Sequence, residues 1–278
     1  MKKFSNNISS QELSLVSWDI YLKMHPDLRR HGINTEETAK KHWLNHGKQE
    51  GRLIFTKEFS RNRANFKEII NNLIKYDTQY QLSLRSKIIN RIIRCCNYEK
   101  YLEIGVMRKQ LNFNNIQIEH KIGVDPGGEG FSEATHTMTS DDYFKQNKES
   151  FDIVFIDGLH ESRQVLNDIL NALRFLNRGG TIVCHDMNPL LELCQRVPRQ
   201  TAIWNGDGWK AFVTLRMQRE DLEMYVIDAD YGLGIIRRGS QEKLKKCKLT
   251  YKNLKKNRKV WLNLISEDAF FNSKLQGK

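Results

Sequence analysis

The chain has 278 residues, is 39% hydrophobic and carries a net charge of +12. That length supports one α/β domain with a small appendage, and that hydrophobic share excludes a disordered polymer. No apolar run reaches the ~18 residues of a membrane span. Residues 1–7 lack the apolar stretch of a secretory leader, so a cytoplasmic protein is expected. Cys95, Cys96, Cys184, Cys194 and Cys247 are odd in number and contain no CxxC pair, which predicts free thiols. The oligomeric state is left open, a homo-oligomer included.

Residues 1–12 are polar, and residues 17–52 read as a compact helical module. Asn34 is the expected N-cap of a helix, with Glu37 three residues on as in a capping box, and Ala39 and Trp43 on one face. The helix is expected to run to about His46, with Gly47 at its C′ position. His42 and His46 share the i, i+4 spacing of a two-histidine metal site, but no third ligand accompanies them. The string from His42 to Arg52 resembles a short module found beside glycosyltransferases and in surface proteins. Two amphipathic helices follow, one carrying Phe66, Ile69, Ile70, Leu73 and Ile74, the other Leu84, Ile88, Ile89, Ile92 and Ile93. The expected division is a helical module over 1–60, a catalytic domain with its leading helices over 61–240, and a basic helical tail over 241–278.

From residue 99 strands and helices alternate. Strands are predicted at Tyr101–Ile104, Lys121–Val124, Phe151–Ile156 and Thr181–Cys184. A helix is predicted over Arg163–Phe175, with Gly179-Gly180 turning the chain into the next strand. This βαβ texture implies a parallel sheet with right-handed crossovers. Met224–Ile227 and Leu233–Ile236 are also strands, and only residues 228–232 separate them. A parallel crossover needs about a dozen residues or more, so this pair must be an antiparallel hairpin. A nicotinamide-binding Rossmann sheet is parallel at that point, whereas an antiparallel terminal strand marks the class I methyltransferase fold. The fold class expected is therefore α/β, Rossmann-like, with the small helical module ahead of it.

The polar residues that end these strands carry the candidate chemistry. Gly105 follows the first strand, and Asp125 follows the second some twenty residues later, a nucleoside-binding spacing that a tight turn and a solvated acid would also produce. Ser140 precedes a helix and reads either as its N-cap or as a group bordering a bound adenine. Asp157 and His160 end the Phe151–Ile156 strand, and His185 and Asp186 end the Thr181–Cys184 strand, so all four face one crevice. Either histidine there could act as a general base near neutral pH, with Asp157 and Asp186 positioning it or holding a divalent cation. The alternative is helix capping by Asp157 and an ordinary buried histidine. The string from Trp204 to Lys210 pairs an indole with Asp207, a combination suited to a sugar. Trp209, Phe212 and Val213 could equally begin a packing helix.

Five strings in this order resemble the class I methyltransferase family found among glycan and antibiotic-sugar enzymes: Tyr101–Val106, Ile122–Pro126, Phe151–His160, Gly179–Asp186 and Trp204–Lys210. The resemblance spans residues 99–238. It implies S-adenosylmethionine at Glu103, Gly105, Asp125, Ser140 and Asp157. It implies a metal-ligating acid and a catalytic base at Asp157 and His160, with a second acidic position at Asp186. His185 joins the catalytic set, standing where an acid often helps bind Mg²⁺, and the glycine-rich loop lacks its second glycine. The function implied is O-methylation of a sugar hydroxyl on a glycan or a nucleotide-linked sugar, with Asp207 and Trp204 as substrate contacts. A divalent cation such as Mg²⁺ is optional. The rivals are an RNA-directed methyltransferase and a non-catalytic glycan-associated scaffold. The first is suggested by eight lysines and Arg258 against Glu242 in residues 240–259, although no aromatic-and-basic motif for nucleic acid accompanies them.

Overall fold

The computed structural model of the chain describes residues 13–24, 28, 32–47, 54, 84–127, 132–199 and 204–275. The chain divides into two compact units, Met1–Gln79 with Gln200–Trp204, and Tyr80–Arg199 with Asn205–Lys278.

In the first unit, α1 (Trp18–Met24) and α2 (Glu36–His42) enclose a small core of their own. It contains Val16, Trp18, Tyr21, Leu22, Ala39 and Trp43. The α2 helix is capped by Thr35, one residue later than expected, with Thr38 rather than Glu37 completing the capping box. A π-helical turn, Trp43–Gly47, extends it, so Gly47 lies inside the helical run rather than beyond it. His42 Nδ1 lies 3.0 Å from the Tyr21 hydroxyl, an ordinary hydrogen bond. The helix expected around residues 66–74 lies outside the described residues.

The second unit is built on a seven-stranded sheet. In chain order its strands are β1 (Lys100–Ile104), β2 (His120–Val124), β3 (Phe151–Ile156), β4 (Leu176–Cys184), β5 (Leu222–Ile227), β6 (Leu233–Arg238) and β7 (Leu264–Ile265). Their spatial order is β2-β1-β3-β4-β6-β5-β7. The first four are mutually parallel, with Glu103 opposite both Gly123 and Phe155. The β6 strand runs antiparallel to both β4 and β5, as the short 228–232 connection requires. This is the parallel sheet with an antiparallel terminal strand that the sequence predicts.

Alternation of side chains along the strands builds a core on each face of the sheet. Leu102, Ile104, Val154, Ile156 and Ile182 face α4 (Ser140–Gln146), α5 (Ser162–Arg174), α6 (Trp209–Gln218) and α7 (Tyr251–Trp261). Tyr101, Ile153, Phe155 and Val183 face α3 (Leu84–Cys96) and α8 (Glu267–Lys274). Trp209 is fully buried in the first of these cores, so it packs the helix it begins. Gly179 and Gly180 do not precede β4 but lie within it, where the β3–β4 register shifts. Gly179 adopts φ +80°, a left-handed conformation that glycine tolerates best. Residues from Tyr251 onward belong to the same compact unit, and β7 pairs with the end of β5.

Candidate active site

The β3 and β4 strands are buried and parallel, so their carboxyl ends open on one edge of the sheet. Asp157 and His160 leave β3 there, and His185 and Asp186 leave β4. His160 is held between two acids, its Nε2 at 3.3 Å from Asp157 Oδ1 and its Nδ1 at 3.1 Å from Asp186 Oδ2. His185 Nδ1 sits 3.0 Å from Asp157 Oδ1 and 3.3 Å from Asp186 Oδ2. The four residues expected to converge do so.

Two further charges complete the cluster, and neither was singled out in the sequence. Arg85, in the first turn of α3, lies against the His185 ring, with Nη1 3.1 Å from Nδ1 and 2.9 Å from Nε2. The same Nη1 is 3.6 Å from Asp157. Asp230, in the β5–β6 connection, lies 3.5 Å from His185 Nε2 and accepts a hydrogen bond from the Arg85 backbone N–H. Burial would raise the Asp157 carboxyl, but His185, His160 and Arg85 together hold it well below the usual range. Burial likewise raises Asp230, and His185 with Arg85 overcomes it, leaving it at about 2. Burial lowers His160, yet Asp186 and Asp157 lift it to about 9. The same two acids lift His185 well above its ordinary value, so neither histidine is poised near neutral pH as the sequence suggested: the paired carboxylates hold the proton on both.

Residues 205–207 brace this cluster. Asn205 Nδ2 donates to Asp186 Oδ1 at 2.5 Å, a contact the sequence reading missed. Gly206 has φ +62°, and a Cβ there would collide with the His160 carbonyl oxygen. The Asp207 backbone N–H donates to that same carbonyl at 2.9 Å. The Asp207 carboxylate, expected to meet substrate, accepts from the Ser162 backbone N–H at 2.6 Å and pairs with Lys210 at 2.8 Å. It therefore caps α5, whose own Glu161 makes no side-chain cap bond. Trp204 belongs to the first compact unit and is half-buried.

Along the same sheet edge, Glu103 closes β1 and Asp125 follows β2. Asp125 accepts from the backbone N–H groups of Met107 and Gly127, each at 2.8 Å. A carboxylate offers about four lone-pair positions, so acceptor capacity remains for ribose hydroxyls. Glu103 Oε2 accepts from the Tyr101 hydroxyl at 2.5 Å and from Asn112 at 3.0 Å. Burial raises it to about 7 against those two hydrogen bonds. Gly105 has φ +90°, and a Cβ there would collide with the backbone of Asp157, so the adjoining strand end already demands this glycine. Ser140 is not the cap of α4, because Thr139 accepts from Asp142 N–H and fills that role. The Ser140 hydroxyl instead donates to the buried Asp168 at 2.6 Å.

Ligand atoms of Asp157, His160 and Asp186 lie within 4.8 Å of one another, so these residues fit a small cation. Two carboxylates suit a hard divalent ion, and the imidazole admits a softer one.

The profile of a family described as methyltransferase domain matches residues 28–187, more than half of the chain. No curated protein matches. Among solved structures the chain is similar to the O-methyltransferase TomG from Streptomyces achromogenes, solved in complex with SAM. The identity is 14% over 64% of this chain and 90% of that one, with a TM-score of 0.45. It is also similar to an O-methyltransferase from Bacillus cereus in complex with SAH, at 13% identity over 62% and 89% of the two chains and a TM-score of 0.39. A third is the methyltransferase MycE of mycinamycin biosynthesis, in complex with Mg, SAH and mycinamycin VI. Here the identity is 15% over 65% and 57%, with a TM-score of 0.40.

Proposed function

The chain belongs to the methyltransferase-domain family, and on that premise we propose that it transfers a methyl group from S-adenosylmethionine to a sugar hydroxyl. His160 is the base in this reading, and the acceptor is a glycan or a nucleotide-linked sugar. The observation that carries it is the seat of His160 between Asp157 and Asp186 at the carboxyl ends of β3 and β4.

S-adenosylmethionine supplies an activated methyl group on a sulfonium. Asp125 is assigned to the ribose, with Glu103, Gly105, Ser140 and Asp157 lining the remainder of the cofactor site. With that donor bound, His160 would accept the proton of the sugar hydroxyl whose oxygen receives the methyl group. The two flanking carboxylates raise His160 to about 9, so at neutral pH only its deprotonated fraction accepts the hydroxyl proton, and methyl transfer is expected to rise with pH toward 9. The same carboxylates fix the ring plane, and the Gly206–Asp207 backbone fixes the His160 backbone, so the base is oriented before the acceptor arrives. A cation held by Asp157 and Asp186 would lower the pKa of the bound hydroxyl. Asp207 is assigned to the border of the acceptor site.

Calorimetric titration with S-adenosylhomocysteine, with and without Mg²⁺, tests the cofactor. Micromolar binding that disappears in Asp125→Ala supports the reading, and no binding in either condition overturns it. Methyl transfer to a panel of nucleotide sugars, with His160→Ala as control, then tests the acceptor.

A further inference from the structure

The α7 helix buries Leu254 and Trp261 and turns the opposite face to solvent. On that outer face Lys252, Lys255, Lys256 and Lys259 are exposed at i, i+3, i+4 and i+7, a single stripe. Lys245, Lys246 and Lys248, in the extended segment before it, are exposed as well. Among the described residues the ion pair from this stretch is Lys243 with Glu220, at 3.2 Å, and none of the four stripe lysines is in an ion pair there.

A solvated helix face normally mixes signs. Here Lys252 with Lys256, and Lys255 with Lys259, are like-charge pairs at i, i+4, which weaken a helix. Lys252 also lies in the first turn, where the helix dipole disfavours a cation, and no acid occupies that turn to offset it. The arrangement therefore works against the helix in isolation and is relieved when an anionic surface covers it.

We infer that the outer face of α7, with the lysines leading into it, docks the protein on an anionic lipid surface. The face is one convex helix rather than a groove. Its aromatic residues are turned away, Trp261 being buried and the Tyr251 hydroxyl donating to the Leu190 carbonyl. A single-stranded nucleic acid needs a groove and exposed rings for its bases, whereas a charged bilayer needs only a level array of cations. Val260, 63% exposed and one turn beyond Lys256, adds an apolar group that can enter the headgroup layer.

Co-sedimentation of the full chain with phosphatidylserine-containing vesicles tests this, with pure phosphatidylcholine vesicles and poly(U) RNA in parallel. Salt-sensitive binding to the phosphatidylserine vesicles alone is expected. Neutralising the stripe (Lys252→Gln, Lys255→Gln, Lys256→Gln and Lys259→Gln together) should weaken the partition coefficient roughly fivefold per lysine. The melting temperature should not fall, because these side chains are exposed and the substitutions remove like-charge pairs from the helix. No binding to phosphatidylserine vesicles at physiological ionic strength overturns the proposal. So does equal binding to phosphatidylcholine, unaltered binding by the neutralised variant, or capture by poly(U) in place of vesicles.

Discussion

Two buried polar clusters flank the central strands, and they resolve the same electrostatic problem in opposite ways. At the strand ends, Asp157 meets Arg85, His160 and His185, Asp230 meets Arg85 and His185, and both half-buried acids are pulled down. Beside α4 and α5, Asp168 is 1% exposed, and among the described residues its hydrogen bonds come from the Ser140 hydroxyl and the Gln164 amide. Burial lifts it to about 6 against those hydrogen bonds. A buried carboxylate thus keeps its charge where cations surround it and leans toward its proton where only neutral donors do. The first arrangement maintains charge ready for chemistry, and the second joins two helices.

The largest effect should come from the reacting group itself. His160→Ala is expected to lower methyl transfer by about 10²–10⁴-fold while S-adenosylhomocysteine still binds. Single-turnover assays with the accepted nucleotide sugar check this, and a smaller loss would move the base elsewhere in the cluster. Arg85→Met removes the cation shared by Asp157 and Asp230. Because both pairs are partly exposed, the expected cost is about 2–3 kcal/mol, below that of a fully buried pair. Urea denaturation measures it, and an unchanged midpoint would mean that the histidines alone balance the acids. Gly206→Ala forces a side chain into φ +62° against the His160 carbonyl. A destabilisation of about 1–2 kcal/mol is expected, together with slower methyl transfer if the brace orients the base.

The smallest effect concerns the second cluster and depends on pH. The folded Asp168 carboxyl lies at about 6, above its ordinary 3.8. The folded state therefore binds the proton more tightly than the unfolded state does. That contribution is fully present below about pH 3.8 and is lost as pH rises through 6. Asp168→Asn should flatten this part of the stability profile and raise the melting temperature at pH 8 relative to wild type. A profile that keeps its slope in the variant would assign the dependence to another group.

The strand ends were legible because each polar pair directly follows an apolar run, as in Phe151–Ile156 before Asp157 and Thr181–Cys184 before His185. The hairpin followed from loop length alone. Arg85 and Asp230 were missed because they reach the cluster from distant positions in sequence. For Asp230 a signal existed: β5 runs parallel to β4, so the turn after it must return at the same sheet edge as Asp186. Asp168 also left a trace, an acid on the apolar face shared by Val165, Ile169 and Ala172. Ser140 and Asp207 were harder, since which residue caps a helix depends on geometry rather than type. Thr139 caps α4, and Asp207 caps α5 from outside that helix. Gly179 and Gly180 read as a turn because the pattern alone does not distinguish a break between elements from a bulge inside one.

The β7 strand contributes only two residues, yet it lies on the outer side of β5, against Val226 and Ile227. An unpaired strand edge is a template for another chain to add to. Together with α8, whose Phe270 and Phe271 are buried in the core on that face of the sheet, β7 covers the outer side of β5 and the apolar surface beside it. A chain ending after residue 240 would retain every residue of the acid–histidine cluster and still present an open β-edge beside uncovered apolar surface. Its failure would be one of solubility, not of chemistry.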